Sequence, residues 1–284
     1  MSKRAKGIVC LFLVAITFGF GYGFQAMAEG VIAPFSFLTW RYFVASLFFL
    51  PFMFKKDETS MRTCLEIMVV LGMILSLASG FQQMAAGKIH AGKIGFITSL
   101  YIVLVPLIES VLFKKKISFL TVFSIAVCLL GLFFLCDIRD FSFGLYEFIV
   151  LCSAFLYALE IIYIDHKAAG VNIYKFTFSL CFGTFLFCFV FSLFEGMQLF
   201  NIKNALVPVL YMGVVAGALG YYFQSRGQSL TPGTVASLIM ALESVFSMIG
   251  GIVLLNQIPS FSEICGALIM FLGVVLCILS SSKS

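Results

Sequence analysis

The sequence predicts an all-α integral membrane protein. It has ten transmembrane helices, built as two inverted five-helix repeats with both termini in the cytoplasm. Three observations predict this. The 284 residues are 62% hydrophobic and only 11% charged, against roughly 25% charged in a soluble domain. The stretch from Gly72 to Ile117 recurs 141 residues later without a gap: Gly72 falls on Gly213, Gln83 on Gln224, Gly92 on Gly233 and Ile117 on Ile258. The basic residues crowd onto alternate loops.

The apolar residues are gathered into runs. A bilayer-spanning helix needs about 20 consecutive, mostly apolar residues. Ten runs approach or reach that length: 8–28, 35–54, 64–84, 91–113, 117–136, 144–164, 174–195, 205–225, 233–255 and 261–280. They are continuous and do not alternate with period two, which argues against a β-barrel. The net charge of +5 does not point to nucleic acid, because the basic residues sit between the runs. The nine cysteines lie inside the runs or at their ends, with no C-x-x-C pair and no neighbouring His at zinc spacing. They read as small buried hydrophobes, and the sequence calls for no metal and no cofactor.

Taken in order, Lys3, Arg4 and Lys6 precede helix 1, whose Ala26-Met27-Ala28 resembles a signal-peptidase site. Cleavage is set aside because the run is long for a signal and the repeat needs a counterpart for helix 6. Helix 2 carries Trp40-Arg41-Tyr42. Helix 3 carries a stripe, Gly72, Ser76, Ser79 and Gln83, at a spacing of three to four that shares one face. Small residues there allow close helix approach. Helix 4 holds Thr98, Ser99, Pro106 and Glu109, and Pro106 is expected to kink it. Helix 5 is plain and apolar. Residues Asp137 to Asp140 form a short link, so 7–137 and 141–280 are intimately packed repeats. Helix 6 has Glu160 near its far end, and helix 7 is rich in Phe. Helix 8 repeats the stripe as Gly213, Gly217, Gly220 and Gln224. Helix 9 opens at Thr231-Pro232-Gly233 and carries Glu243, Ser244 and Ser247. Helix 10 closes the second repeat.

Orientation follows from counting. Of 18 Lys and Arg, four (Lys88, Lys93, Arg139, Lys203) fall on one side and Arg41 lies within a helix, which leaves thirteen on the side of the N-terminus. The positive-inside rule places that side in the cytoplasm and the chain in the cell (inner) membrane as a multi-pass protein. A five-helix copy that starts inside ends outside, so the second copy is inverted. Inverted repeats of this kind occur in many secondary transporters, with the substrate at the midplane between the repeats.

Glu243 is the sharpest site candidate. It lies near the middle of helix 9, where a charge costs about 2.5–3.5 kcal/mol to insert. It must find a partner, face water or carry a proton, which makes protons an expected coupling ion. Ser247 lies one turn on, on a similar face. Arg41 has two readings: a bidentate clamp for carboxylate or phosphate, or a side chain snorkelling to the outer surface. Gln83 and Gln224 share a position in the two copies and suit a gate or cavity role, with interhelical hydrogen bonding as the plain reading. Ser99 adds a hydroxyl in helix 4. Glu109 and Glu160 sit near the cytoplasmic ends of their helices, within reach of water. His90 reads as a solvated turn residue. With two histidines, no H-E-x-x-H and no Walker A sequence, an intramembrane enzyme or an ATP-driven pump is disfavoured.

Three stretches resemble the drug/metabolite transporter superfamily, specifically its EamA-like ten-helix transporters: FSFLTWRYFVA from Phe35 to Ala45, AGKIGFITSLYIVLVP from Ala91 to Pro106, and LTPGTVASLIMALES from Leu230 to Ser244. The resemblance covers nearly the whole chain. It departs at the family's Gly-Glu pair near the ends of helices 4 and 9, where Lys115-Lys116 and Asn256-Gln257 stand. It implies a small-molecule substrate and transport tilted toward export; an amino-acid-like compound, a nucleoside-like metabolite or a toxic hydrophobic compound each fits an aromatic, weakly charged cavity, and import, exchange, a channel or a non-transporting receptor are the alternatives. It also implies a cavity lined by helices 3, 4, 8 and 9, and peripheral helices 5 and 10 at a homodimer contact.

Overall fold

The computed structural model describes residues 2–55, 57–86, 88–89, 91–136, 143–196 and 198–280. The expected link at Asp137–Asp140 and the turn residue His90 lie outside them. Helices make up nearly all of what is described. Nine are long and apolar enough to cross a bilayer, and Phe119–Leu135, with 17 residues, is a shorter apolar one.

The helices are α1 (Lys3–Ala28), α2 (Pro34–Met53), α3 (Met61–Ala85), α4 (Ala91–Ser99), α5 (Tyr101–Phe113), α6 (Phe119–Leu135), α7 (Leu145–Lys167) and α8 (Ile173–Phe194). They continue as α9 (Leu206–Leu210), α10 (Tyr221–Gln228), α11 (Gly233–Met240), α12 (Glu243–Leu255) and α13 (Phe261–Ser280). Local chemistry sets several starts. Ser2, Ser60 and Ser118 accept a backbone N–H three residues on, Asn172 caps α8, and Pro34 opens α2. These caps satisfy orphan donors of the first turn.

Two predicted helices are broken. Helix 4 is α4 followed by α5, with Leu100 between them. Helix 9 is α11 followed by α12, with Ala241 and Leu242 between them. At both breaks the turn tightens to i→i+3 bonds, from the Leu100 and Leu242 N–H groups to Ile97 and Ile239 O. Pro106 lies inside α5, six residues beyond the break, and α11–α12 breaks alike with no proline in either half. The expected proline kink is therefore not the cause.

Helix 8 is interrupted differently. Between α9 and α10, residues Tyr211–Gly220 form a π-helix. Its i→i+5 bonds accommodate an extra residue relative to an α-helix. This corrects the sequence register. Beyond it, landmarks recur not at 141 but at the 142-residue separation of Tyr101 and Glu243. The breaks at Leu100 and Leu242 obey the longer offset, as do the left-handed caps Lys114 and Asn256. The residue matching Glu243 is Tyr101, and the residue matching Gln224 is Gln82.

Packing places the broken helices centrally. α1 lies against α10, α12 and the π-helix; α2 and α3 both lie on α8, and α3 also on α7. Close crossings need glycine. A Cβ at Gly72 would stand 2.6 Å from the backbone carbon of Gly183, and one at Gly213 would stand 2.7 Å from Val44 Cβ. α6 and α13 pack on each other at the periphery, where Phe119, Phe123, Phe271 and Leu272 face outward. Arg4 Nη2 donates to Ile278 O at 2.9 Å, so the first and last helices meet at one end of the bundle.

Candidate functional site

A cavity of about 60 Å³ lies among α1, α2, α3, α7, the π-helix, α10 and the two broken helices. That is room for a few waters. Its polar wall is formed by Tyr22, Gln25, Arg41, Gln82, Thr98, Tyr101, Tyr157, Glu160, Tyr221, Gln224 and Glu243.

Each broken helix presents the first residue of its second half to this space: Tyr101 opens α5 and Glu243 opens α12. A helix N-terminus carries partial positive charge, which favours the carboxylate of Glu243. Gly19 of α1 sits so close that a Cβ there would stand 2.6 Å from Glu243 O. That approach brings Tyr22, about one turn on, toward the same side chain. Tyr101 Oη donates to Glu243 Oε1 at 3.2 Å, and Tyr22 Oη does so at 3.5 Å.

The second carboxylate is Glu160 of α7, 2% exposed. Gln224 Nε2 donates to both its oxygens at 3.0 and 3.1 Å, and to Gln228 Oε1 at 3.2 Å. Gln228 Nε2 in turn donates to Ile161 O at 2.8 Å. A third network joins Tyr42 to Ser79 and Tyr221, Ser79 to Tyr157, Tyr157 to Gln82 Oε1, and Gln82 Nε2 to Thr98 Oγ1. Satisfied buried networks of this kind rigidify a site.

Arg41 is the cation of the cavity. It is 5% exposed, its guanidinium lies 5.0 Å from the Tyr42 ring centroid, and no carboxylate pairs with it among the described residues. Its Nε has no acceptor. The snorkelling alternative is therefore not what the structure shows.

Of the residues singled out from sequence, Glu243, Arg41 and Gln224 line the cavity together. Gln83, Ser99 and Ser247 do not. Gln82 takes the place expected of Gln83, because neighbours on a helix point about 100° apart. Ser99 turns its hydroxyl to Ser244 at 3.2 Å, and Ser247 is half-buried on α12 away from the wall. Glu160 and Glu109, expected to reach water, are 2% and 3% exposed. Sequence reasoning missed Tyr22, Gln82 and Tyr101. Only a correct repeat register would have lifted Tyr101 and Gln82 out of their background.

At the Lys3 end, Lys115 Nζ lies 2.6 Å from Glu109 Oε1 and 3.7 Å from Asp165 Oδ2. Thr234 Oγ1 donates to Glu109 Oε2 at 2.6 Å. Glu109, Asp165 and His166 have ligand atoms within 4.8 Å of one another, and the Lys115 ammonium is the cation in contact with both carboxylates. Burial works against the Lys115 charge, but Glu109 and Asp165 hold its pKa above the ordinary lysine value. Lys167–Glu66 at 2.7 Å and Lys175–Asp57 at 3.2 Å join the halves nearby. Lys93–Glu147 at 2.6 Å does so at the opposite end.

Apolar spans around a polar central cavity beside two discontinuous helices define a multi-pass membrane protein of the transporter class. Residues 5–136 and 144–279 match the EamA-like transporter family, and the chain belongs to that family. It is 27% identical over 274 residues to an uncharacterized transporter of Archaeoglobus fulgidus, covering 96% of this chain and 86% of that one. A crystal structure of a 13% identical protein has the same fold, with a TM-score of 0.82 over 99% of both chains. The protein is thus a membrane transporter that lies in the lipid bilayer and binds a small-molecule substrate.

Proposed function

We propose that the protein is a secondary transporter that exports small organic metabolites, amino-acid-like or related, from the cell across its inner membrane by alternating access. Residues 7–137 and 141–280 would form the two halves, inverted in the bilayer with both termini in the cytoplasm, and rocking about the cavity. Two contacts support the inversion. Tyr101 bonds Glu243, and Cys128 Sγ lies 3.7 Å from Met270 O; both pairs are 142 residues apart. Counterparts that touch fit a two-fold relation between the halves, and five spans per half, an odd number, would make that relation an inversion. The excess of Lys and Arg at the Lys3 end supports the cytoplasmic assignment.

The observation that carries the reading is one cation, Arg41, and two carboxylates, Glu160 and Glu243, buried around one cavity with no ion pair between them among the described residues. Buried charge without a partner is costly, and a transported solute can supply the partner. Glu243 is the proposed proton carrier. Its two tyrosine hydroxyls can donate to the carboxylate and rotate to accept from the acid. Counterflow in proteoliposomes, screened with labelled metabolites, tests the proposal. A saturable, trans-stimulated uptake is expected; flux that never saturates would indicate a channel instead.

A further inference from the structure

We infer that the two halves of the first broken helix, α4 and α5, are the gates at the two ends of the protein, each latched to α7 by an ion pair. The latch is Lys93–Glu147 at one end and Lys115–Asp165, joined by Glu109 and Thr234, at the other. This rests on the transporter reading above and deepens it to the residues that close each side.

Three elements leave the cavity toward the Lys3 end, and each shows the same order: polar wall, apolar layer, then a polar or charged group. α5 opens with Tyr101 in the wall, passes Val105 and reaches Glu109 about two turns on. α7 passes from Glu160 through Ile162 to Asp165. α11, followed backwards from Met240, passes Leu238 and Val235 to Thr234. Val105, Ile162, Val235 and Leu238 belong to one buried apolar cluster, and the polar groups lie beyond it. There Lys115 Nζ reaches Glu109 Oε1 at 2.6 Å and Asp165 Oδ2 at 3.7 Å, and Thr234 Oγ1 donates to Glu109 Oε2 at 2.6 Å. Asp165 also sits against the start of α11, where a Cβ at Gly233 would stand 3.3 Å from its Oδ2. A solute passing between α5, α7 and α11 must part this cluster.

The opposite end follows the same order with fewer parts. α4, followed backwards from Thr98 in the wall, passes Ile97 and Ile94, which cluster with Val150 of α7. Beyond them Lys93 Nζ lies 2.6 Å from Glu147 Oε1. α7, unbroken from Leu145 to Lys167, is thus a common post for both latches. The break at Leu100 separates α4 from α5, and such an element end can absorb the turn of one half without the other. In each latch the lysine belongs to the first half of the chain and its acidic partner on α7 to the second. Lys115 is half-exposed, so water can take over its charge when the pair parts. Lys167–Glu66 and Lys175–Asp57 differ. They lie beside α3 and α8, where Gly72 and Gly183 bring two backbones together, and no residue of either pair lies on a broken helix. They are struts.

Hydrogen–deuterium exchange of the purified full-length protein in lipid nanodiscs reads both ends without a substrate. Lys115→Gln is expected to speed exchange roughly fivefold at residues 105–113 and 233–238, the population shift that loss of one charged contact produces. It is expected to slow exchange at residues 93–97 and 145–150, because freeing one gate favours the state in which the other is shut. Lys93→Gln is expected to do the reverse. Asp165→Asn and Glu147→Gln repeat each arm from the other partner if a lysine variant fails to fold. Lys167→Gln, in a strut, should act at its own end alone. Faster exchange at the altered end with no slowing at the other overturns the inference. Faster exchange at both ends marks a general loss of stability and overturns it too. No change at either end does the same. Each of these results leaves the transporter reading in place, since that reading stands on counterflow. If counterflow finds no solute that moves, both fall.

Discussion

The two broken helices share a backbone and differ in chemistry. α4–α5 and α11–α12 tighten at matching residues, Leu100 and Leu242, and end in matching left-handed caps, Lys114 and Asn256. Yet the residue each break offers the cavity is Tyr101 in the first half and Glu243 in the second, and these two bond each other. The first half contributes a neutral donor and the second a titratable acceptor. The backbone break is therefore a property of the scaffold, and the charge is an addition to one copy of it. Pro106 teaches the same lesson, since the second copy breaks without a proline.

The largest expected effect comes from the residue in which the copies differ. Glu243→Gln should lower coupled transport by about 100-fold or more in a proteoliposome assay, since it removes the titratable group and any charge it carries. Tyr101→Phe should cost only about fivefold, because Tyr22 remains and one hydrogen bond contributes about 1 kcal/mol. Comparable losses would show that the two positions act as one network and that the asymmetry is illusory.

The helix crossings sharpen the comparison next. Gly183→Ala drives a Cβ into the Met68 carbonyl, a backbone atom, whereas Gly213→Ala meets first the side chain of Val44. Overpacking should destabilise both by about 1–3 kcal/mol, more at Gly183. Thermal unfolding in detergent would reveal the order, and a larger loss at Gly213 would contradict the packing described.

The ends of the broken helices differ more gently. Lys115 joins Glu109 and Asp165, while the matching Gln257 is neutral and its Oε1 approaches Gly251. Lys115→Gln should destabilise by about 1–2 kcal/mol, because Glu109 is buried and keeps only Thr234; the half-exposed lysine keeps the loss below that of a fully buried pair. Gln257→Glu should be near neutral. Smallest of all, Lys114→Gly should stabilise by about 0.5 kcal/mol by relieving a left-handed lysine, the benefit being partly offset by unfolded-chain entropy. Asn256→Gly should do less, since asparagine tolerates that conformation. Melting temperatures of the variants check both pairs.

Much of the architecture was legible because hydrocarbon thickness and apolar run length are tied together. The small-residue stripes were legible as well. The register was not, because a π-helix leaves no mark in polarity: Gly72 matches Gly213 at one offset and Gln82 matches Gln224 at the next. That single residue points to Gln83 in place of Gln82 and hides the match of Tyr101 to Glu243. Glu160 was undervalued for another reason. Its position late in α7 suggests reach to water, but depth along a helix does not say which face meets a neighbour. Arg41 could be read as a clamp or a snorkelling anchor until tertiary packing enclosed it.

We propose that Glu243, the second half's carboxylate at the break, carries the coupling proton. The most direct measurement is the internal pH of proteoliposomes on adding substrate, for wild type, Glu243→Gln and Tyr101→Phe. The expected result is a substrate-dependent proton flux that vanishes in Glu243→Gln and persists in Tyr101→Phe. Full coupling retained by Glu243→Gln would contradict it.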